Sequence, residues 1–361
     1  MNKQNKTKNK HVSIIVLNFR QADLTIGCIK SLLKQTYTKN DILVIDNDSG
    51  DGSYEKINSV FKSSSKVKVY QTGKNLGYAG GNNFGVKKAK GEYIAILNND
   101  TVVKKDWLEW LVKGLESEDN VKVVGAEMPI VGRDNQVPDY KKRFVTKTLT
   151  GYSVFVDRKK TISDITFVDQ FSAGGCAFIY DRKIIDLPFP DEYFIYAEDT
   201  YFNWVVQLMG YKVIKATKSY GDHFHNMVRK TASSSLNYYM IYLAERNIYL
   251  NLLTLYELKN VFRVFPLMLL KILLRNIYEP RKIPAHLKSY LWILFHPNYI
   301  YSKRKMINKL RRVSDSKIVS MLSYKIYDES KMSSSGFALR LANKIAYYYC
   351  KLVGLRTVEF L

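Results

Sequence analysis

The chain has 361 residues, of which 46% are apolar, so it can bury a sizeable core and is not disordered throughout. Lysine and arginine number 56 against 33 acidic residues, which gives a formal net charge of +23. Such an excess favours a polyanionic neighbour, and nucleic acid, acidic lipid head groups and phosphate-bearing substrates all qualify. The three cysteines are too few and too widely spaced for a disulfide framework or a zinc knuckle, and we expect them to be core residues in a reducing compartment.

The N-terminal segment 1–10 is polar and rich in lysine and asparagine, and we expect it to be disordered. No apolar segment of the kind found in secretory signals follows it. A run of about 18 uncharged apolar residues is also absent from the sequence, so no ordinary transmembrane helix is expected. These features predict a cytoplasmic protein.

Short β-branched runs then alternate with segments of helical periodicity. Strands are predicted at 12–18, 41–46, 67–70 and 93–97, and helices at 21–37 and 82–90. This alternation indicates an α/β fold with a mostly parallel sheet flanked by helices. The polar clusters 46–53 and 98–100 follow two of the strands, and open sheets of this kind bind ligands beyond the carboxyl ends of their strands.

The remaining chain falls into two parts. Residues 121–226 combine short strands and turns with one helix near 198–209, whereas long helical stretches rich in leucine, tyrosine and basic residues begin near 236. We therefore expect a sheet domain over 11–236 and a helical region over 237–361.

Several acidic residues are candidates for chemistry. Asp100 at the end of the fourth strand could ligate a divalent ion that bridges a diphosphate, although an aspartate in this position also caps turns. Asp46 ends the second strand and shares its loop with Asp48, and such acids could accept a hydrogen bond from a nucleotide base or simply cap the turn. Glu198 and Asp199 stand among aromatic residues, where burial would prepare a general base, and where a helix start would also favour acids.

Two further features remain open on the sequence alone. His223 and His225 lie two residues apart, which in an extended segment places both rings on one face, and one of them could ligate a metal. The glycine-rich segment 73–85 is neither a P-loop nor a dinucleotide fingerprint. Its glycines would permit a close approach of backbone to ligand.

Six motifs taken in order resemble glycosyltransferase family 2, especially its rhamnosyltransferase-like branch with the GT-A fold. The resemblance covers roughly residues 11–230, and the motifs occupy 13–18, 44–53, 75–83, 91–100, 172–176 and 196–199. It implies an inverting, non-processive enzyme that moves a hexose, such as rhamnose, from a nucleotide-diphosphate donor. The acceptor would be a hydroxyl of a glycan or lipid-linked molecule in cell-surface polysaccharide or glycan assembly.

The resemblance also implies individual roles. Asp199 would be the general base, Asp46 would pair with the nucleotide base, and Asp100 would be the last acid of the family's Asp-x-Asp motif. Asp100 and His223, with His225 as the competing histidine, would ligate Mg²⁺ or Mn²⁺. The other implied positions are Asn18, Asp48, Asn75, Gly77, Asn82 and Asn98 for the nucleotide and Gly174, Gly175 and Glu198 for the acceptor side.

Departures from the family pattern leave the acceptor open. Tyr201 stands where the family often has a second acid, and Val205 stands where an arginine often follows the aromatic residue. The Gln-x-x-Arg-Trp motif of processive synthases is absent from the sequence, which predicts a single addition. The donor also stays open, since dTDP-rhamnose and UDP-hexoses both fit.

The basic helical segment 238–300 alternates apolar and basic residues, and Trp292 with many tyrosines suits a lipid interface. We expect amphipathic helices on an anionic membrane, at the inner face of the cell membrane. The alternative is a helical bundle that packs on the sheet domain or on a second copy, which would give a homo-oligomer.

Two other classes of function compete. The net charge would suit a nucleic-acid-binding protein, but no known binding module is present and we expect no nucleic-acid partner. A nucleotidyltransferase would need a glycine-rich basic loop after the first strand, and residues 18–21 contain no glycine.

Overall fold

The computed structural model describes residues 10–133, 137–224, 234–328 and 336–361, without the side chains of 234–237. The candidate metal ligand His225 and nearly all of the N-terminal segment predicted to be disordered lie outside these ranges.

Strands and helices alternate through the first half of the chain, and helices dominate the second. The strands are β1 Val12–Asn18, β2 Asn40–Asp46, β3 Val67–Gln71, β4 Tyr93–Asn98, β5 Thr101–Val103, β6 Val121–Glu127, β7 Arg143–Lys147, β8 Ser153–Asp157, β9 Phe167–Asp169, β10 Ala177–Asp181 and β11 Lys212–His223. The helices are α1 Ala22–Leu32, α2 Ser53–Phe61, α3 Gly77–Lys88, α4 Trp107–Leu115, α5 Glu198–Leu208, α6 Ser234–Leu255, α7 Leu258–Tyr278, α8 Ile283–Phe295, α9 Pro297–Leu310, α10 Asp315–Val319 and α11 Phe337–Leu352.

A nine-stranded sheet organises the first half, in the order β3-β2-β1-β4-β10-β6-β11-β5, with β9 paired to β11. Strands β1 to β4 run parallel, and β11 runs parallel to β6. Strand β10 is antiparallel to both of its neighbours. The sheet is therefore mostly parallel and flanked by helices, as the sequence predicts.

Alternating side chains of the sheet enter two different cores, which explains why its strands are apolar throughout. In β1, Ile15 packs into a core that contains α3 and α5, whereas Ile14 and Val16 pack into a core that contains α1 and α4. All three are fully buried. Covered on both faces, the sheet leaves its strand ends as the place for a ligand.

Two predicted helix boundaries are wrong. The first helix ends at Leu32 rather than near 37, and the third begins at Gly77 rather than 82. Most of the glycine-rich segment 73–85 therefore lies within α3, and only 73–76 form a loop ahead of the helix. The helix predicted near 198–209 is present as α5.

The helical region packs directly on the sheet domain. Helix α6 begins at Ser234, so the expected boundary near 236 falls within its first turn. Trp204 of α5 meets Tyr256, just after α6, edge to face at 4.7 Å, and both belong to one buried cluster. None of the helices in the described ranges combines the length and the apolar character needed to span a bilayer.

Candidate functional site

A cavity of about 360 Å³ lies at the carboxyl ends of β1, β2 and β4. That volume is within the usual range of small-ligand sites. Four of the predicted residues line it: Asn75, Gly77, Asn98 and Asp100. Its opposite wall comes from residues 194–196, just before α5, and from Met240 of α6.

Asp46 lies beneath this cavity rather than in its wall. Its carboxylate is fully buried and accepts hydrogen bonds from Asn18 Nδ2 at 2.7 Å, from Ser49 Oγ at 2.6 Å and from the Ser49 amide at 3.0 Å. Asn18 in turn accepts from Thr25 Oγ1 at 2.7 Å. The network fastens the loop after β2 and presents the next residue, Asn47, to the cavity. The role of Asp46 in pairing with a base stays a prediction.

Two other predicted nucleotide-binding residues also lie outside the cavity wall. Asp48 is exposed and has a positive φ of 61°, so it forms the turn after β2. Asn82 is buried within α3, where its amide donates to the Tyr78 carbonyl oxygen at 2.8 Å. The structure therefore separates these two residues from Asn75, Gly77 and Asn98.

Gly77 lines the cavity and also permits a close approach between two backbone segments. Its φ is +70°, and a Cβ at this position would lie 2.4 Å from the Phe194 carbonyl oxygen. The same oxygen accepts a hydrogen bond from the Ala79 amide at 3.0 Å. The first turn of α3 is thus fixed against the segment that leads into α5, and any larger residue at 77 would separate them.

Asp100 and His223 meet because β5 pairs with the end of β11, where His223 is opposite Thr101. The Asp100 Oδ1 and His223 Nε2 atoms are 3.2 Å apart, and both side chains are buried. Asn98 lies in the same cavity, and its buried Oδ1 has no hydrogen-bond partner among the described residues. A buried acceptor of this kind calls for a ligand.

The donor set at Asp100 fits a divalent ion that binds together with a substrate. The carboxylate and imidazole atoms are close enough to share one ion. Within the described ranges, no group of three or more His, Cys, Asp or Glu side chains could hold a metal alone. Mg²⁺ commonly takes one or two carboxylates and completes its shell with water and substrate phosphates.

Asp199 lies beside the glycines predicted for the acceptor side. A Cβ on Gly175 would lie 3.2 Å from Asp199 Cβ, and the Gly175 carbonyl oxygen accepts from Tyr78 OH at 2.6 Å. Asn203 ties the two segments together, because its Oδ1 accepts from the Ala173 amide at 3.1 Å and its Nδ2 donates to the Asp199 carbonyl oxygen at 2.7 Å. Gly174, which lies between Ala173 and Gly175 in the sequence, has a φ of +83° and open space at its Cβ position.

Tyr78 connects these residues to the cavity, whose wall it joins. Burial raises the pKa of Tyr78 well above its usual value, and the nearby carboxylates of Glu198, Asp199 and Asp100 add to the effect. Tyr78 therefore bonds the predicted acceptor side at Gly175 and shares the cavity wall with the predicted metal ligand Asp100.

Glu198 is buried, and its Oε2 has no hydrogen-bond partner among the described residues. Burial, followed by the neighbouring Asp199 carboxylate, raises the pKa of Glu198 to about 8. A neutral Glu198 adds no second negative charge beside Asp199 at pH 7. Glu198 is buried and directly precedes Asp199, so it suits a residue that supports Asp199 rather than one that reacts itself.

The raised pKa of Glu198 predicts a pH-dependent stability. The pKa of Glu198 is near 4.5 in the unfolded chain and about 8 in the folded protein. The stability that the protonated side chain contributes to the fold is therefore fully present below pH 4.5 and is lost as the pH rises to 8. Glu198→Gln removes this titration. As the pH rises from 5 to 8, the free energy of unfolding of the wild type should fall by a few kcal/mol relative to that of the variant. Urea unfolding at several pH values measures the difference, and parallel pH profiles for the two proteins would contradict it.

Sequence reasoning missed several residues of the cavity wall. Asn47 and Asn99 stand next to predicted residues in the same strand-end clusters, so a signal was available. Asn99 donates to Gln21 Oε1 at 3.1 Å and to Thr25 Oγ1 at 2.9 Å. Phe19 and Gln21 follow the first strand. Met240 carries no such signal, because it comes from a helix far along the chain.

Comparison with known proteins supports an α/β fold with a mostly parallel sheet flanked by helices. Residues 13–187 match the sequence model of Glycosyl transferase family 2. A glycosyltransferase of Streptococcus pneumoniae, GlyG, is 31% identical over 114 residues, which are 32% of this chain and 38% of that protein. The chain thus matches well under half the length of this relative.

Two further similarities extend over more of the chain. The cholesterol galactosyltransferase of Borreliella burgdorferi is 24% identical over 361 residues, with 97% of this chain and 89% of that protein covered. The crystal structure of GalNAc-T7 with UDP, GalNAc and Mn²⁺ superposes with a TM-score of 0.59 at 16% identity, covering 72% of this chain and 51% of that one. The chain therefore has a GT-A-like fold, and its residues 13–187 are similar to glycosyltransferase family 2.

Proposed function

We propose that this protein is an inverting, non-processive glycosyltransferase that moves a sugar from a nucleotide-diphosphate donor to a hydroxyl of a glycan or lipid-linked acceptor. One observation carries the proposal: Tyr78, Asn98 and Asp100 line the cavity at the strand ends, and the Tyr78 hydroxyl bonds Gly175, which packs against Asp199. We assign the reaction to cell-surface polysaccharide or glycan assembly, and we keep both hexose and rhamnose donors as candidates.

In the proposed mechanism, Asn75 and Asn98 line the pocket for the nucleotide, and Asp100 with His223 would hold the divalent ion at the diphosphate end. Mg²⁺ or Mn²⁺ bound at Asp100 and His223 would neutralise charge on the leaving diphosphate. Asp199 takes the proton from the acceptor hydroxyl while the hydroxyl oxygen attacks the anomeric carbon. Attack from the face opposite the diphosphate inverts the anomeric configuration. The UDP and Mn²⁺ in the GalNAc-T7 structure support this assignment.

A screen of nucleotide sugars tests the proposed reaction. The purified protein would be incubated with UDP-, dTDP- and GDP-sugars, with and without Mn²⁺, and release of the nucleoside diphosphate would be measured. We expect one nucleotide class to be turned over, and turnover should fall when EDTA removes the ion. Release of a sugar phosphate together with transfer of the nucleotidyl group to an acceptor would instead indicate a nucleotidyltransferase.

The helical region supports a lipid-linked acceptor at an anionic membrane. Helix α7 exposes a stripe of apolar side chains spaced three or four residues apart: Leu258, Phe262, Phe265, Leu269, Leu273 and Ile277. Helix α11 exposes a second such stripe: Phe337, Leu341, Ile345, Tyr348 and Leu352. Phe262 is 69% exposed and Leu352 is 84% exposed, values far above those of core residues.

Basic side chains accompany both stripes and favour a lipid surface over an apolar protein partner. Lys259 and Arg263 are exposed beside Phe262, and Arg340 and Lys344 are exposed beside Leu341. An interfacial helix places its apolar stripe at the acyl boundary and its cations at anionic head groups. The cholesterol galactosyltransferase named above also has a lipid as acceptor. We place the protein at the cytoplasmic face of the membrane on this basis.

Flotation with liposomes tests the membrane assignment. The wild type should float with vesicles that contain anionic phospholipid, and Phe262→Glu with Leu269→Glu should reduce the floated fraction at least about tenfold, because charge is costly at the acyl boundary. Lys74→Glu, in the exposed loop before α3, is the matched control, because it lowers the net charge by the same amount as the double substitution. A wild type that stays unbound and sediments as a dimer would instead indicate that the stripes pack against a second copy.

A further inference from the structure

The segment that leads into α5 has an unusual backbone. Phe194, Tyr196 and Ala197 have φ values of 61°, 72° and 62°, although none of them is glycine. Left-handed backbone costs a non-glycine residue roughly 1 kcal/mol or more and persists only where surrounding structure enforces it. Three such residues within four positions therefore need external support.

That support comes from two asparagines of α6. Asn247 Nδ2 lies 2.9 Å from the Tyr193 carbonyl oxygen, 3.0 Å from that of Ile195 and 2.8 Å from that of Tyr196. Asn251 Nδ2 donates to the Ala197 carbonyl oxygen at 2.9 Å. We call these two residues the asparagine clamp.

Neighbouring side chains fix the orientation of the clamp. Asn247 Oδ1 accepts from Arg246 Nε at 3.0 Å, and Arg246 also donates to the Glu192 carbonyl oxygen at 2.7 Å. Asn251 Oδ1 accepts from Tyr193 OH at 2.8 Å. Because both amide oxygens are occupied, both NH₂ groups must face the carbonyls of the segment. Asn247 is fully buried, so water cannot replace its donors.

The clamped segment links the parts of the site. Ala197 directly precedes Glu198 and Asp199, while Phe194 and Tyr196 line the cavity. The Phe194 carbonyl oxygen also accepts a hydrogen bond from the Ala79 amide at the start of α3. A change in this segment would therefore move Asp199 relative to the pocket for the donor.

We propose that Asn247 and Asn251 are positioning residues: they hold residues 193–197 in the conformation, with positive φ at 194, 196 and 197, that places Asp199 against the acceptor and forms part of the wall of the donor cavity. The inference rests on the proposed glycosyl transfer. It assigns to the helical region a role in the reaction, in addition to any role at a membrane.

Alanine variants test the clamp, with Thr254→Ala as the matched control. Thr254 is buried on the same helix, and its hydroxyl donates to the Leu250 carbonyl oxygen within that helix. We expect Asn247→Ala to lower kcat about 10²-fold and Asn251→Ala roughly tenfold, because small misplacements of reacting groups are this costly. Thr254→Ala should keep kcat within about twofold of the wild type. Unchanged kcat in both asparagine variants would overturn the proposal.

A glycine rescue separates positioning from loss of stability. In the Asn251→Ala background, Ala197→Gly removes the penalty for a positive φ and should recover most of the lost kcat. Because glycine at a positive φ can also raise global stability, urea unfolding of the same variants is measured beside kcat. A kcat that merely follows the free energy of unfolding across these variants would overturn the positioning role. Failure of Ala197→Gly to raise kcat would overturn the positioning role.

Hydrogen exchange tests the clamp without any assay of transfer. The amides of Ala79 and Tyr201 donate to the carbonyl oxygens of Phe194 and Ala197. In Asn247→Ala they should exchange at least about tenfold faster than in the wild type, while amides of β1 and β4 keep their rates. If the wild type transfers no sugar from any donor, the proposed function fails, but the exchange result still decides whether the clamp holds the segment. Equal exchange rates at Ala79 and Tyr201 would refute it.

Discussion

Asp199→Asn is expected to lower kcat by about 10³-fold while donor affinity stays within about threefold of the wild type. General-base catalysis contributes on the order of 10²–10⁴-fold, and asparagine cannot accept the proton from the acceptor hydroxyl. The substitution keeps the shape of the side chain and the backbone bond from Asn203 to the carbonyl oxygen of residue 199. The place of α5 beside Gly175 should therefore be retained.

Steady-state kinetics and calorimetric titration of the nucleoside diphosphate measure the two quantities separately. Asp48→Asn serves as the control, because Asp48 is an exposed acid in a turn outside the cavity wall and the change removes the same charge. Glu198→Gln distinguishes the two adjacent acids. If Glu198→Gln lost activity and Asp199→Asn kept it, Glu198 rather than Asp199 would be the base.

The sheet was predictable because its strands are covered on both faces, which produces continuous apolar runs such as 12–17 and 93–97. Strand ends then indicated where polar residues would gather, and Asn98 and Asp100 do line the cavity. The choice between Asp46 and Asn47 was not predictable in this way. Consecutive residues at a strand end face opposite directions, and only packing determines which of them lines the cavity.

The meeting of Asp100 with His223 depends on pairing between strands that are far apart in sequence. Periodicity gives no register for β5 against β11, so the residues alone left His223 and His225 equivalent, and the resemblance to a family supplied the preference. The position of His223 opposite Thr101 is a property of the folded sheet. His225 lies outside the described residues.

The asparagine clamp was also not predictable from the sequence, and the reason is different. Asn247 and Asn251 lie within a tyrosine- and leucine-rich helix, where a polar residue usually faces solvent. Their partners are backbone carbonyls of a segment some fifty residues earlier, and the positive φ values that call for them leave no mark at Phe194, Tyr196 and Ala197, because none is glycine. The helical region therefore contributes to the wall of the cavity and to the support of residues 193–197, although the sequence left open whether it packs on a membrane, on the sheet domain or on a second copy.

Asp100→Asn is expected to abolish the dependence of donor binding on the divalent ion and to lower kcat/KM by about 10²–10³-fold. A metal at a transferring phosphate contributes several kcal/mol of charge stabilisation, and each 1.4 kcal/mol corresponds to about tenfold in rate. Asn98 and Asn99 are already neutral, so Asp100 supplies the only negative charge of this strand-end triplet.

Titration of the nucleoside diphosphate with Mn²⁺ and with EDTA measures the ion dependence directly. Asp222→Asn is the matched control, because Asp222 is exposed and its neighbour in β11 is His223. His223→Asn should reproduce most of the loss. Since Asp100 and His223 are 3.2 Å apart and would hold one ion, the double variant should be little worse than Asp100→Asn alone. Fully additive losses would mean that the two side chains act separately. Donor affinity that is equal with Mn²⁺ and EDTA in the wild type would remove the metal from the mechanism.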